Sequence, residues 1–186
     1  MKNIVLSMKY LAILGTLLCF LTGCYNNRYA NVSKSRLKYK NIVVSKFAVA
    51  RDGVAEDDPR NVEKHLRTTQ AACISLLEDS RLFEDVTNKA LPYNADFTLV
   101  VQGELTEMRI VGNATRVWLM ATAGNSGMTM HIRLVDGRTG SLVAQQQFRG
   151  SASGNIADKD LTKMIGQQIA EFIIQTTTQQ AGAYTR

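Results

Sequence analysis

Chemistry in this 186-residue chain has few groups to draw on: three cysteines, two histidines and 16 acidic residues. His65 and His131 are far apart, and neither stands at a Cys/His spacing that would hold zinc, so each reads as a solvent-exposed or edge histidine. Glu56-Asp57-Asp58 offers three carboxylates, but not at the spacing of a calcium loop; acidic residues before a helix answer to its dipole. Gly124-Asn125-Ser126-Gly127 has the composition of a phosphate loop without its Lys-Ser/Thr pair. A strand rather than a helix follows it, which makes it a turn. No serine occupies a Gly-x-Ser-x-Gly elbow. The expectation is a protein that is not an enzyme and takes no cofactor and no metal. The segment Arg116-Val117-Trp118-Leu119-Met120 is the better candidate for a contact surface, since it holds the one tryptophan and since aromatic and Arg residues are enriched at interface hot spots. Arg109 precedes it, and His131 and Arg133 would extend such a patch across a sheet. The plainer reading of the same segment is core packing within the meander.

Cys24 stands where an apolar run stops. Lys2 and Lys9 supply positive charge, Tyr10 to Leu21 is uncharged and apolar, and the run is shorter than the roughly 20 residues of a membrane-spanning helix. Residues 1–23 therefore read as a secretory signal. Its end, Leu21-Thr22-Gly23-Cys24, resembles the lipobox of bacterial lipoproteins, in which an aliphatic residue and two small residues precede the cysteine that becomes the mature N-terminus. The resemblance implies cleavage before Cys24 and a diacylglycerol on its thiol, with several acyl chains at roughly 0.8 kcal/mol per buried CH₂ giving a durable anchor. By likeness to lipoproteins of two-membrane bacteria, Tyr25 after the cysteine, rather than Asp, implies sorting to the outer membrane, facing the periplasm. Cys19 would leave with the signal and Cys24 would carry lipid. Only Cys73 then remains, in the apolar stretch QAACISLL, so no intramolecular disulfide is expected despite an oxidising compartment.

The formal charge of +6 divides unevenly. Residues 25–40 hold Arg28, Lys34, Arg36, Lys38 and Lys40 with no acid, whereas 41–186 carries 15 basic and 16 acidic residues. The basic stretch reads as a tether from lipid to domain, able to touch anionic headgroups at about 1 kcal/mol per cation or simply to stay solvated. A folded part with no basic patch argues against nucleic acid as a partner.

Within the domain, 41–50 (NIVVSKFAVA) reads as a covered strand and 51–60 as a polar loop. Asp58-Pro59 starts a helix over 60–79 whose apolar stripe includes Val62, Leu66, Cys73 and Leu77. A short strand near 82–87 follows. Residues 96–110 alternate, with Phe97, Leu99, Val101, Gly103 and Leu105 on one face. Residues 116–122 form another apolar run, 128–135 alternates again, and Asp136-Gly137-Arg138-Thr139-Gly140 turns it into a hairpin with 141–149, where Leu142, Ala144 and Phe148 continue the apolar face. A last helix, capped by Asp158 or Asp160, buries Leu161, Met164, Ile165, Ile169, Phe172 and Ile173, and after Gln175 the chain reads as a frayed tail. The simplest architecture is α/β (α+β): one mixed, largely antiparallel sheet with two amphipathic helices packed on one face. The boundaries expected are a signal at 1–23, a lipidated Cys24 and basic tether at 24–40, one domain at 41–178 and a disordered tail at 179–186.

Gly112-Asn113, Arg116, the run Ala123 to Met128 and Leu134 to Gly140 resemble an uncharacterised bacterial lipoprotein family, domain of unknown function 4410, and with the preceding strand and helix the likeness covers most of 41–175. More distantly, the order of elements is similar to the envelope modules of the curli secretion channel lipoprotein and the amino-terminal domain of TolB, a likeness of layout that transfers no function. Together these readings predict a non-catalytic lipoprotein, held at the membrane by its N-terminal lipid, that serves as an accessory or assembly factor for another envelope protein. The alternative is a lipoprotein that binds a small ligand or lipid in a cleft lined by Phe97, Met128, Met130 and Phe172.

Overall fold

Alternating apolar residues on three long strands need a cover, and two helices with apolar stripes supply it. The computed structural model describes residues 37–56, 59–89, 96–109, 126–152 and 158–183. In chain order these form β1 (Asn41–Val44), β2 (Ala48–Glu56), α1 (Pro59–Asp79), β3 (Asp85–Thr87), β4 (Thr98–Arg109), β5 (Ser126–Asp136), β6 (Leu142–Ala152) and α2 (Asp158–Ala183). The strands make one mixed sheet in the order β3, β1, β4, β5, β6, with β2 also pairing β4. β1 lies parallel to β3 and β4, and β2 parallel to β4. The two antiparallel pairings, β4 with β5 and β5 with β6, are the long ones, ten residue pairs each.

Register decides which side chains share a face. Val101 pairs with Leu134, Gly103 with Ile132 and Leu105 with Met130; all six are buried. This face meets the helices. On α1 the buried positions Val62, Leu66, Thr69, Cys73 and Leu77 recur at helical spacing, and on α2 Leu161, Ile165, Ile169 and Ile173 do the same. Burial in this apolar layer pushes the Cys73 thiol up to about 12 and leaves it neutral.

Two glycines set how closely these layers approach. A Cβ on Gly166 would sit 2.7 Å from the Thr69 carbonyl oxygen and 2.8 Å from the Ala72 Cβ, so α1 and α2 pack there with no room for a side chain. A Cβ on Gly103 would overlap Cδ1 of Phe47, whose ring comes from the link between β1 and β2. That link is stitched by Gln70 of α1, whose Nε2 donates to the carbonyls of Val44 and Ser45 at 2.9 and 3.0 Å. A buried amide thereby satisfies backbone acceptors where the strand breaks.

The chain departs from the sequence expectation in several places. Residues 51–56 continue as β2: after a register shift between Val49 and Val54, Val54, Ala55 and Glu56 pair with Glu107, Met108 and Arg109 of β4, so the expected loop is taken up as an irregularity within a strand. The expected tail at 179–186 starts inside α2, which reaches Ala183. Gln and Ala sustain a helix well, and the Thr177 and Thr178 hydroxyls donate back to carbonyls of Ile173 and Ile174 instead of ending it. At the other boundary, Leu37 and Tyr39 are buried, so these two residues of the expected tether at 24–40 belong to the packed domain. Phe97 does not share the face of Leu99: its φ of +60° breaks the alternation and leaves it 61% exposed. The run 116–122 lies outside the described residues. Among the described residues no helix is long and apolar enough to cross a membrane.

Candidate functional site

Two surfaces among the described residues combine polar groups from several strands: a cleft at one end of the sheet, and the face that no described helix covers. The cleft forms where β1 and β4 begin and β5 ends. Asp136 closes β5 and starts a turn, in which its Oδ1 accepts from the backbone N–H groups of Arg138 (3.1 Å) and Thr139 (3.0 Å). Such a side-chain-to-backbone turn is what an Asp at this position does well. Gly140, at φ +70°, completes the reversal, and its N–H donates to the Asp136 carbonyl.

The other oxygen of Asp136 serves a distant part of the chain. The Tyr39 hydroxyl donates to Oδ2 at 3.0 Å, Lys38 Nζ donates to the Tyr39 hydroxyl at 2.9 Å, and Lys38 also lies 3.3 Å from Oδ2. The Thr139 N–H, with the Tyr39 hydroxyl and Lys38 adding to it, holds the Asp136 carboxyl well below the usual carboxylate range. Its bond to the Tyr39 hydroxyl, and secondarily Asp136, raises Lys38, while burial raises the Tyr39 phenol. Asp136 is therefore a fixed anion whose oxygens are already engaged. Its chemistry is to clamp the entry of the chain onto the hairpin turn, not to accept a substrate's proton.

Around this clamp opens a cleft of about 710 Å³, with Phe97, Arg138, Leu142 and Gln180 on its walls. Gln180 comes from the last turns of α2, and its buried Oε1 has no hydrogen-bond partner among the described residues. Lys40 Nζ stands 5.9 Å from the Phe97 ring centre, within the range of a cation–π contact. Lys40 also pairs with Glu84 at 3.2 Å, and Arg138 with Asp96 at 3.8 Å. Leu142 is 49% exposed: a register shift at the β5–β6 pairing sets it opposite Val135 and out of the apolar row expected for it.

The uncovered face follows from the same registers. Across β4, β5 and β6 run the rows Gln102, Arg133, Gln145; Glu104, His131, Gln147; and Glu107, Thr129, Arg149. Nearly all of these side chains are exposed, with His131 half-buried and Thr129 buried, its hydroxyl 3.4 Å from Glu107 Oε2. Arg109, at the end of β4 opposite Gly127, falls on the same face and is exposed.

The residues expected to make a contact patch are thus partly brought together. Arg109, His131 and Arg133 share one face, with Arg109 and Arg133 about 20 Å apart along the strands, at about 3.4 Å per residue. Arg116 and Trp118 lie outside the described residues, as do Leu21, Thr22, Gly23 and Cys24. Met128 and Met130 are fully buried and Phe172 packs edge-on against Phe148 at 5.7 Å. Of the four residues expected to line a ligand cleft, only Phe97 lines the one at the sheet's end. Among the described residues no group of three or more His, Cys, Asp or Glu is placed to hold a metal ion. Sequence reasoning missed the clamp because its halves, Tyr39 and Asp136, are 97 positions apart; the turn alone was visible.

Comparison with known proteins places this layout. The family model described as Domain of unknown function (DUF4410) matches residues 42–175. Among solved structures, a PelC dodecamer from Paraburkholderia phytofirmans is 12% identical, with 76% of this chain and 89% of that one covered at a TM-score of 0.51. Protein XCC0632 from Xanthomonas campestris is 10% identical, covering 76% and 88% at 0.49. Lipoprotein GNA1162 from Neisseria meningitidis is 12% identical, covering 73% and 96% at 0.41. At such identities the likeness is one of fold. No curated protein matches the chain.

Proposed function

We propose that this chain, which belongs to the DUF4410 family, is an outer-membrane lipoprotein anchored through Cys24, facing the periplasm, and acting without catalysis as an accessory or assembly factor for another envelope protein. The observation that carries the reading is the division of the sheet into one face sealed by helices and one face of exposed, mixed polar rows. A surface that combines Arg109, Arg133 and Arg149 with Glu104, Glu107 and several glutamines has the composition of a wet, non-obligate interface: hydrogen-bonding, charged in both signs, and stable in water when unoccupied. The lipobox-like Leu21-Thr22-Gly23-Cys24 supports the anchor, and the lipoprotein among the fold neighbours is in keeping with it. The PelC neighbour is a dodecamer, so a second copy of this chain belongs among the partners to be looked for.

Site-directed photo-crosslinking in intact cells tests the reading. A crosslinker at Gln147, on the uncovered face, is expected to trap a discrete envelope protein, whereas one at Ser75, exposed on α1, traps none. Equal labelling from both positions, or none from either, would remove the assignment to this face. Cys24→Ala is expected to release the protein from the membrane fraction, and full retention there would refute the lipid anchor.

A further inference from the structure

The cleft end of the domain carries an arrangement that partner binding on the uncovered face does not use. Three large apolar side chains are exposed among the described residues, Val49, Phe97 and Leu142, and two of them stand on this one rim. Phe97 does so under strain. A bulky residue at positive φ is a conformational outlier that persists only where its surroundings over-determine it. Here the Phe97 carbonyl accepts from the N–H groups of Lys40 (2.8 Å) and Asn41 (3.1 Å), and the adjacent Thr98 carbonyl accepts from Gly137 (2.8 Å). The fold pins the backbone so that a phenyl ring points out, where ordinary alternation would have turned it in beside Leu99.

The charges around the ring are balanced. Lys38, Lys40 and Arg138 are matched by Asp136, Glu84 and Asp96 at 3.3, 3.2 and 3.8 Å. A rim of paired charges around exposed apolar groups complements a layer of zwitterionic headgroups: it brings no net charge to desolvate, and its apolar tips can enter among the acyl chains. Covalent continuity points the same way. Leu37 adjoins Lys38 on the cleft wall and stands 13 positions after Cys24 in the sequence. The stretch between them includes Arg28, Lys34 and Arg36 with no acid, cations that anionic lipid attracts.

From the strained exposed ring, the second apolar tip, the neutral rim and the short sequence distance from Cys24 to Lys38 on the cleft wall, we infer that the Phe97–Leu142 end rests on the phospholipid surface, with both side chains in the headgroup layer. The inference rests on the lipid-anchor reading above. Aromatic side chains favour that layer, and apolar faces that bind it lie about 5–10 Å deep. Seated this way, β4, β5 and β6 rise from the membrane. Their far ends, Arg109, Ser126 and Ala152, and the polar rows between, are presented away from the lipid.

The test uses the full lipidated protein in vesicles of phosphatidylethanolamine and phosphatidylglycerol containing brominated lipid. An environment-sensitive fluorophore is attached at Phe97→Cys, at Leu142→Cys, which leaves the strained turn intact, or at Ser151→Cys, exposed at the far end of β6. The buried Cys73 stays unlabelled in the folded protein. Severalfold stronger quenching at 97 and 142 than at 151, reduced at 142 when Phe97→Asn is added, is the expected result. Asn tolerates the left-handed backbone, so this variant keeps the fold. Equal quenching at all three positions in protein that still floats with the vesicles overturns the docking and leaves the anchor standing. Protein that fails to float overturns both. Quenching at 97 and 142 that appears only when a protein partner is added assigns the rim to that partner and also overturns the docking.

Discussion

Ile132 and Arg133 are neighbours on one strand, yet they belong to two different surfaces. Ile132 is fully buried against the helices, and Arg133 is exposed in a row with Gln102 and Gln145. The inner face obeys close packing, where shape and volume are fixed to within a methyl group. The outer face obeys the looser requirement that each polar group meet water or, as Thr129 does in Glu107, a polar neighbour. Stability is therefore concentrated on one side of the sheet, which leaves the composition of the other free to serve recognition.

The contrast is sharpest in the core. Ile132→Ala removes a side chain from the centre of the inner face, between strands that are themselves covered, so little can collapse into the gap; the expected loss is about 3 kcal/mol. Urea unfolding of the full chain measures it as a lower midpoint at unchanged slope. A loss under about 1 kcal/mol would mean that the inner face tolerates vacancy, and the distinction between the faces would fail.

The next largest effect concerns the layer between the helices. Gly166→Ala places a methyl group against the Thr69 carbonyl oxygen and the Cys73 backbone nitrogen, at 2.7 and 3.1 Å. Backbone cannot step aside without moving α1, and the expected loss is about 2 kcal/mol, in the range of overpacked cores. Gly150→Ala is the matched control on β6. Its methyl would meet the Leu161 Cδ1, Met164 Cε and Ile165 Cδ1 atoms at 2.7–2.9 Å, all far ends of side chains that can rotate, so the loss there should be smaller. Thermal unfolding of the pair ranks them directly, and the reverse order would place the rigid contact between helix and sheet.

These same features explain what the sequence disclosed and what it withheld. The helix at Pro59–Asp79 and the strands around Leu99, Ile132 and Phe148 announce themselves because burial on one side imposes a period on the residues. β2 does not, since a register shift between Val49 and Val54 interrupts its pairing with β4, and an interrupted ladder imposes no continuous period on the residues. Phe97 was misplaced because alternation assumes extended backbone, and two hydrogen bonds from residues 40 and 41 hold it otherwise. Nothing near Phe97 in sequence encodes those donors. The clamp at Asp136 shows the same limit: its turn is local chemistry, and its partners Lys38 and Tyr39 arrive from a stretch whose composition reads as tether.

That clamp gives a prediction that depends on pH. The Asp136 carboxyl is held below its ordinary value, so it contributes stability above about pH 4 that is lost as the pH falls through the lowered value. Asp136→Asn keeps the turn-forming oxygen but gives up the charge-assisted bonds to Lys38 and Tyr39, at a loss of about 1–2 kcal/mol near neutral pH. The variant should then lose less than the parent between pH 4 and pH 2, in a series of urea midpoints. Parallel curves for the two proteins would show that the clamp is not where the acid sensitivity resides.

Arg133→Ala closes the comparison at its quiet end. The side chain is exposed and bears no part in the inner packing, so stability should stay within about 0.5 kcal/mol of the parent. On the proposed reading, the same substitution lowers the yield of the crosslink from Gln147 in the neighbouring row, because removing a charge at a wet interface changes association more than it changes folding. The two measurements on one variant separate the faces: a residue that matters to the partner and not to the fold belongs to recognition, whereas Ile132, one position away, carries the opposite signature. Loss of stability at Arg133 comparable to that at Ile132 would mean that the uncovered face is part of the folding core after all.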